Sequence, residues 1–296
     1  MRRLLKWVAG IVGVLVLAAA ALYALAYFRS ESAMAATYEL SDPPLAMQRD
    51  PATIARGAHL FATRGCGHCH GEDASGQEVF DAGPVVRIVA PNITTGGRLK
   101  DSTPEQVAGA IRHGVAASGR PLVFMPSAEW QEMSDTDVAA LIAFMQQLPP
   151  SDHQPPPLEV RPVGRVMWLV GDFPLLPAQH IDHTPRARVA PAVGPTAEYG
   201  RYMAQGCKGC HGQDYAGQHV PGTPPVFPDA RNITPAGLGS WKEADFERAM
   251  RTGVRPDGSK LDPFMPWQTY AQLSDVEMKA IWAFLRTLPP VESNRK

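Results

Sequence analysis

RGCGHCHGEDASG, residues 64–76, sets Cys66, His68, Cys69 and His70 close together in one short loop. QGCKGCHGQDYAG, residues 205–217, repeats the pattern with Cys207, Cys210 and His211, and with Gly209 where His68 stands. The 296 residues contain no other cysteine. Three further blocks recur at nearly the same distance. PNIT (91–94) matches RNIT (231–234), FMPSAEWQEMSD (124–135) matches FMPWQTYAQLSD (264–275), and IAFMQQLPP (142–150) matches IWAFLRTLPP (281–290). The spacing from Cys66 to Cys207 and that from Met125 to Met265 differ by a single position. A nearly constant offset over four blocks marks a duplicated unit, of about 90–100 residues per copy.

Each copy carries the same helix signals. Ile54 to Thr63 and Glu198 to Gln205 read as short helices leading into C-x-x-C. Thr103-Pro104-Glu105-Gln106 and Ser240-Trp241-Lys242-Glu243 read as capping boxes, with Pro104 suited to a first turn. The helices they open run to glycine stops at Gly114 and Gly253. Ser134 and Ser274 cap a last amphipathic helix that ends at Leu148-Pro149-Pro150 and Leu288-Pro289-Pro290. No window alternates at strand period, so the expected fold is all-α. The expected organisation is a transmembrane anchor over 1–30, a first domain over 50–150, a connection over 151–194 and a second domain over 195–296. The connection is Pro-rich and matches nothing else in the chain. Met167-Trp168-Leu169-Val170 and Phe173 are too apolar for a free linker and call for a surface to pack on.

Trp7 to Phe28 is an uninterrupted uncharged run, preceded by Arg2, Arg3 and Lys6. It is long enough to cross a bilayer, which takes about 20 helical residues, and the leading positive charges hold the N-terminus in the cytoplasm. A cleaved signal peptide is the competing reading, with Ala33-Met34-Ala35 as its cleavage site, but its apolar region is usually shorter, about 7–15 residues. Either reading exports the rest of the chain, most simply into a bacterial periplasm. The formal net charge of −1 argues against nucleic acid as a partner.

Four readings compete for C-x-x-C-H. A thioredoxin-like redox pair needs a βαβ context, which is missing. A structural zinc site needs four ligands at close spacing, and the two pairs lie in separate copies of the repeat. A bare disulfide across C-x-x-C leaves the repeated histidine unexplained. Covalent haem attachment explains every element. Cys66 and Cys69, and Cys207 and Cys210, add to the haem vinyls as thioethers, while His70 and His211 are held beneath the iron as proximal ligands. Two haem c groups are therefore expected, and they supply core that domains of this size lack. His68 is a spacer.

The group in the sixth iron position separates electron transfer from catalysis. Met125 and Met265 stand in identical Phe-Met-Pro contexts, at spacings after His70 and His211 that differ by one position. The other methionines mostly do not recur and fit the ordinary role of core filler. Met125 and Met265 are the expected distal ligands. Filling both axial sites excludes substrate and raises the reduction potential. Pro84 and Pro225, which follow His70 and His211 at equal spacing, are candidates to accept the histidine Nδ1 proton. Asn92, Asn232, Arg87 and Arg231 are candidates for haem propionates or backbone, and Trp130, Trp241 and Tyr270 for the pocket wall.

The order C-x-x-C-H, Pro, Met-Pro loop and final amphipathic helix resembles the class I c-type cytochromes. The second half, NITPAGLGSWKEADFERAMRTGVRPDG through FMPWQTYAQLSDVEMKAIWAFLRTLPP, resembles the membrane-bound multihaem cytochrome subunits of bacterial alcohol, aldehyde and gluconate dehydrogenases. Those subunits usually carry three haem motifs and often a C-terminal membrane helix, whereas this chain has two motifs and an N-terminal helix. The resemblance implies a single-pass protein of the inner membrane with its domains in the periplasm. It would carry electrons between redox partners, a dehydrogenase, an oxidase or another cytochrome, and would not itself be an enzyme. A dihaem peroxidase is the alternative. It requires one open or displaceable iron, which the equivalence of Met125 and Met265 opposes. A passive structural subunit of a respiratory complex is the third reading.

Overall fold

The computed structural model describes residues 1–171, 173–223 and 226–293. The chain begins with one long helix, α1 (Arg2–Met34), whose apolar length is sufficient to cross a membrane. The first repeat follows as α2 (Pro51–Thr63), α3 (Cys66–His70), β1 (Gln77–Asp81), β2 (Val86–Ala90), α4 (Pro104–His113), α5 (Ser127–Trp130) and α6 (Asp135–Met145). The connection holds β3 (Glu159–Val160), α7 (Pro162–Leu169) and a 3-10 turn at Pro177–His180. The second repeat comprises α8 (Ala197–Met203), α9 (Lys208–His211), α10 (Pro235–Leu238), α11 (Glu243–Thr252), α12 (Trp267–Tyr270) and α13 (Asp275–Thr287).

Local chemistry sets the helix ends. Asp50 caps α2 through the amides of Ala52 and Thr53. Thr103 and Gln106 form a reciprocal capping box on α4, as do Ser274 and Glu277 on α13. Gly114 and Gly253 stop α4 and α11 in the left-handed conformation, at φ of 63° and 71°. The cap expected at Ser240 falls instead at Lys242, whose amide donates to Asp245, so α11 starts at Glu243.

In each repeat the helix before the cysteines packs on the final helix, α2 on α6 and α8 on α13. The contact is so close that it demands glycine. A Cβ added at Gly57 would lie 2.0 Å from the Ala140 carbonyl oxygen, and one at Gly200 would lie 1.8 Å from that of Ala280. Around these crossings lie two equivalent cores. The first includes Leu60, Phe61, Ile111, Met133, Leu141 and Ile142. The second includes Tyr199, Tyr215, Phe246, Met278, Ile281 and Phe284.

The fold is mostly helical but not all-α. Strands β1, β2 and β3 form an antiparallel sheet in that order, with Gln77 opposite Ala90 and Arg87 opposite Glu159. The strand signal is hidden because Val-Arg-Ile-Val-Ala of β2 alternates only over Val86, Arg87 and Ile88 and then ends in two adjacent buried residues, Val89 and Ala90, too short an alternation to mark a strand. Where the first repeat has the β1–β2 hairpin, the second has, among the described residues, a single isolated bridge, Gln218 to Ala230, and a further bridge joins Val254 to Lys260. The connection is no free linker. Phe173, Leu175 and Leu176 are buried against Val86 and Ile88, and the Leu175 carbonyl accepts the Phe124 amide beside Met125.

Candidate cofactor-binding sites

Both C-x-x-C-H strings fold as a tight helical turn closed by a glycine at positive φ, Gly71 at 83° and Gly212 at 86°. All four cysteines are free of disulfides. Burial pushes the Cys66 and Cys207 thiols up to about 12 and Cys210 up to about 11, and raises Cys69. A thioether carries no charge and suits such desolvated positions.

The two histidines are held identically. His70 Nδ1 donates to the Pro91 carbonyl at 2.9 Å, and His211 Nδ1 donates to the Arg231 carbonyl at 2.6 Å. Burial lowers both pKa values against the pull of these carbonyls. A neutral ring whose Nδ1 holds the proton presents Nε2 as a lone-pair donor, the tautomer a metal requires. The acceptors are therefore not the expected prolines. The Pro84 carbonyl instead receives the Val163 amide, and Pro225 lies outside the described residues.

Asn92 and Asn232 follow the true acceptors and clamp their loops. Asn92 Nδ2 donates to the carbonyls of Ser151 and His153, while its Oδ1 accepts from the amide and hydroxyl of Thr94. Asn232 repeats this with Val291 and Thr234. The recurring N-I-T was the available signal. The residue before it holds the histidine, and the asparagine ties that loop to Ser151 and His153 in the first repeat and to Val291 in the second. Arg87 pairs with Glu78 and Glu159 on the sheet surface.

Met125 and Met265 sit in the same turn. Pro126 and Pro266 share backbone angles, φ −78° and ψ 49° against φ −79° and ψ 56°. In both repeats the methionine carbonyl accepts the amide two residues on, from Ser127 and from Trp267. Met125 and Cys66 pack on the first core, Met265 and Cys207 on the second. In the second repeat, Cys207, Cys210, His211 and Met265 line one cavity of about 1050 Å³. That is at the upper end of small-molecule sites. Trp241 and Tyr270 also line it, as expected for wall residues. A neutral histidine, a thioether donor, two half-buried thiols and an apolar wall fit a covalently attached haem.

The walls of this cavity are not all from one repeat. Arg64, His68, Glu129 and Trp130 of the first repeat complete it. The Trp130 ring lies over Gly206, 2.6 Å from where a Cβ would stand. Glu129 lies over Gly209, and burial raises its carboxyl to about 8. Arg64 is buried between the repeats, donating to the Met203 carbonyl at 2.9 Å and stacking near Trp130 and Tyr202. Reciprocally, Thr269 of α12 approaches Gly65.

A polar network reinforces this pairing. Arg56 forms a bidentate pair with Asp137 at 2.9 Å and reaches Glu277 of the other repeat at 3.1 Å. His59 contacts Glu277 at 2.7 Å, and the Tyr202 hydroxyl donates to Asp137 at 2.7 Å. None of these inter-repeat residues stood out in the sequence, where each reads as an ordinary surface or cap residue.

The family model for cytochrome c matches residues 54–149 and 197–289. A diheme cytochrome c-type protein of Cereibacter sphaeroides is 28% identical across 80% of this chain and 86% of its own length. The fructose dehydrogenase cytochrome subunit of Gluconobacter japonicus is 32% identical over 46% of this chain. The gluconate 2-dehydrogenase cytochrome c subunit of Pantoea cypripedii is 38% identical over 33% of this chain. The alignments with these two subunits cover only 29% and 24% of their lengths.

Proposed function

The chain belongs to the cytochrome c family and carries two covalently bound haem c groups, and from that premise we propose that it is a membrane-anchored electron carrier with two His/Met haems. Cys66 and Cys69 hold the first haem and Cys207 and Cys210 the second. His70 and Met125, and His211 and Met265, are their axial ligands. The observation that carries this reading is the equivalence of the two sites. Each has a histidine pinned at Nδ1 by a carbonyl and a methionine in the same Pro-closed turn. Haem bound this way supplies one-electron storage at a raised potential. The protein's share is to hold the imidazole tautomer, present sulfur from a stiff loop and keep water from the metal.

Helix α1 anchors the protein in the bacterial inner membrane by a single pass, with the N-terminus cytoplasmic and both domains in the periplasm. The length and apolarity of α1 support this, as does the positive charge of Arg2, Arg3 and Lys6 before it. The partners are a dehydrogenase that delivers electrons and an oxidase or cytochrome that takes them. Relatives named as cytochrome subunits of dehydrogenases, and one named as the CcoP subunit of a cbb3-type oxidase, support that placement.

The test is a redox titration of the full-length holoprotein with its Met125→Ala and Met265→Ala variants. Both wild-type haems should titrate reversibly and their ferrous forms should refuse carbon monoxide at neutral pH. Each variant should keep both haems, lower the potential of one and open that one to carbon monoxide. A wild-type haem that binds carbon monoxide readily, or that turns over peroxide with a small electron donor, overturns the carrier reading.

A further inference from the structure

Helix α7 has a role that electron carriage leaves unused. It packs against α1, and the contact reaches into the apolar run. Ala26 and Ser30, one turn apart on α1, are fully buried. The Arg165 guanidinium lies 4.7 Å from the Tyr27 ring centroid, donates to the Ser30 hydroxyl and pairs with Glu31 at 2.6 Å. Ala26 and Tyr27 belong to the uncharged stretch that ends at Phe28. At about 1.5 Å of rise per residue, they lie within one helical turn of its end. An element that touches them is at the depth of the bilayer boundary.

The outward surface of α7 suits that depth. Pro162-Val163-Gly164-Arg165-Val166-Met167-Trp168-Leu169 carries one charge, and that charge is turned toward α1. Val163 and Val170 are 42% and 69% exposed and Leu169 is half-buried, while Met167 and Trp168 turn inward onto the core of Val86, Ile88, Leu175 and Leu176. Tyr23, Tyr27 and Phe28 form a contiguous aromatic group on the adjoining end of α1. Aromatic and apolar side chains grouped around an arginine are the composition of a membrane interface.

The inner side of α7 is fixed to the first domain. Gly164 sits so close to the hairpin turn that a Cβ would lie 2.2 Å from the Val85 carbonyl oxygen. The Val163 and Arg161 amides donate to the Pro84 and Val85 carbonyls. From that turn β2 runs directly to Pro91, whose carbonyl holds His70.

We infer that α7 lies among the headgroups of a phospholipid bilayer and, together with the end of α1, holds the first haem domain on the membrane in one orientation. The inference rests on the reading of α1 as the anchor. The occupant is lipid because the exposed apolar surface continues that of the anchor itself.

The test uses the full-length holoprotein in phosphatidylcholine vesicles. Its native cysteines are consumed as thioethers, so one introduced cysteine takes a bimane label. Labels at Val163→Cys and Val170→Cys should be quenched strongly by phosphatidylcholine carrying a headgroup nitroxide and several-fold less by aqueous iodide than a label at Val193→Cys in the connection. A label at Val14→Cys should be shielded from iodide altogether. If the Val163 and Val170 labels respond to iodide as the Val193 label does while Val14 stays shielded, α7 faces water or awaits a protein partner, and the inference is overturned with the anchor intact. If the Val14 label is also open to iodide, the anchor reading fails and the inference falls with it.

Discussion

Replacing Glu277 by glutamine tests whether the two repeats are held together by charge. Glu277 is 2% exposed and accepts from Arg56 at 3.1 Å, His59 at 2.7 Å, the Tyr199 hydroxyl at 3.3 Å and the Ser274 amide at 2.9 Å. Burial works to raise its pKa, but the His59 and Ser274 hydrogen bonds overcome it and leave the carboxyl at about 2, down from 4.5. A shift of that size is worth about 3 kcal/mol once the carboxyl is ionised in both states. Arg56 keeps Asp137 when Glu277 is neutralised, so the cost of Glu277→Gln should fall at about 2–3 kcal/mol, below the usual range for breaking a buried pair. The folded pKa is depressed, so the stabilisation is complete above the unfolded value near 4.5 and is lost as pH falls from there through about 2. Urea unfolding of the wild-type and variant holoproteins, followed by near-ultraviolet circular dichroism, reads the difference. It should be largest at neutral pH and shrink steadily between about pH 5 and about pH 3. A neutral-pH difference below about 0.5 kcal/mol, or one that stays constant as the pH falls, refutes the reasoning.

The geometry sets three other expected outcomes. Gly200→Ala drives a methyl group into the Ala280 carbonyl and should cost about 3 kcal/mol or more, seen as a drop in thermal midpoint; an unchanged midpoint contradicts the close packing of α8 on α13. Asn92→Ala strips the Ser151 and His153 carbonyls of a donor and should cost on the order of 2 kcal/mol. The loosened Pro91 carbonyl should also shift the midpoint potential of the first haem while the second stays fixed. The double change Cys207→Ser and Cys210→Ser prevents attachment in the cavity of about 1050 Å³, and the second domain should lose its cooperative transition in calorimetry; a retained transition shows that its core stands without the cofactor.

The duplication, the final helices with their serine caps and the glycine stops were legible because each rests on local chemistry, a side chain reaching its own turn. The position of Met125 and Met265 before Pro-closed turns was legible because the repeat supplied an internal control. The sheet was not, since Val86 and Ile88 of β2 are covered by a segment far along the chain, Phe173 to Leu176, which no local pattern announces. The histidine acceptors were misassigned because a carbonyl is present at every residue, and sequence alone does not say which one a loop turns inward. The docking of the repeats left no periodic trace. Arg56, Glu277 and Arg64 read as surface charges or a cap until the partner domain is in place.

The shared wall has a consequence for how the molecule is made. Trp130 and Glu129 close over the Cys207–Cys210 turn from the neighbouring domain. On the proposed attachment at Cys207 and Cys210, a wall already in place would crowd the approach to those thiols, so the expected order is attachment first and closure second, read by comparing haem incorporation at the second motif in the wild type and in Trp130→Ala. The same wall makes the second half depend on the first: deleting the first half would strip Arg64, His68, Glu129 and Trp130 from one side of the second half's pocket.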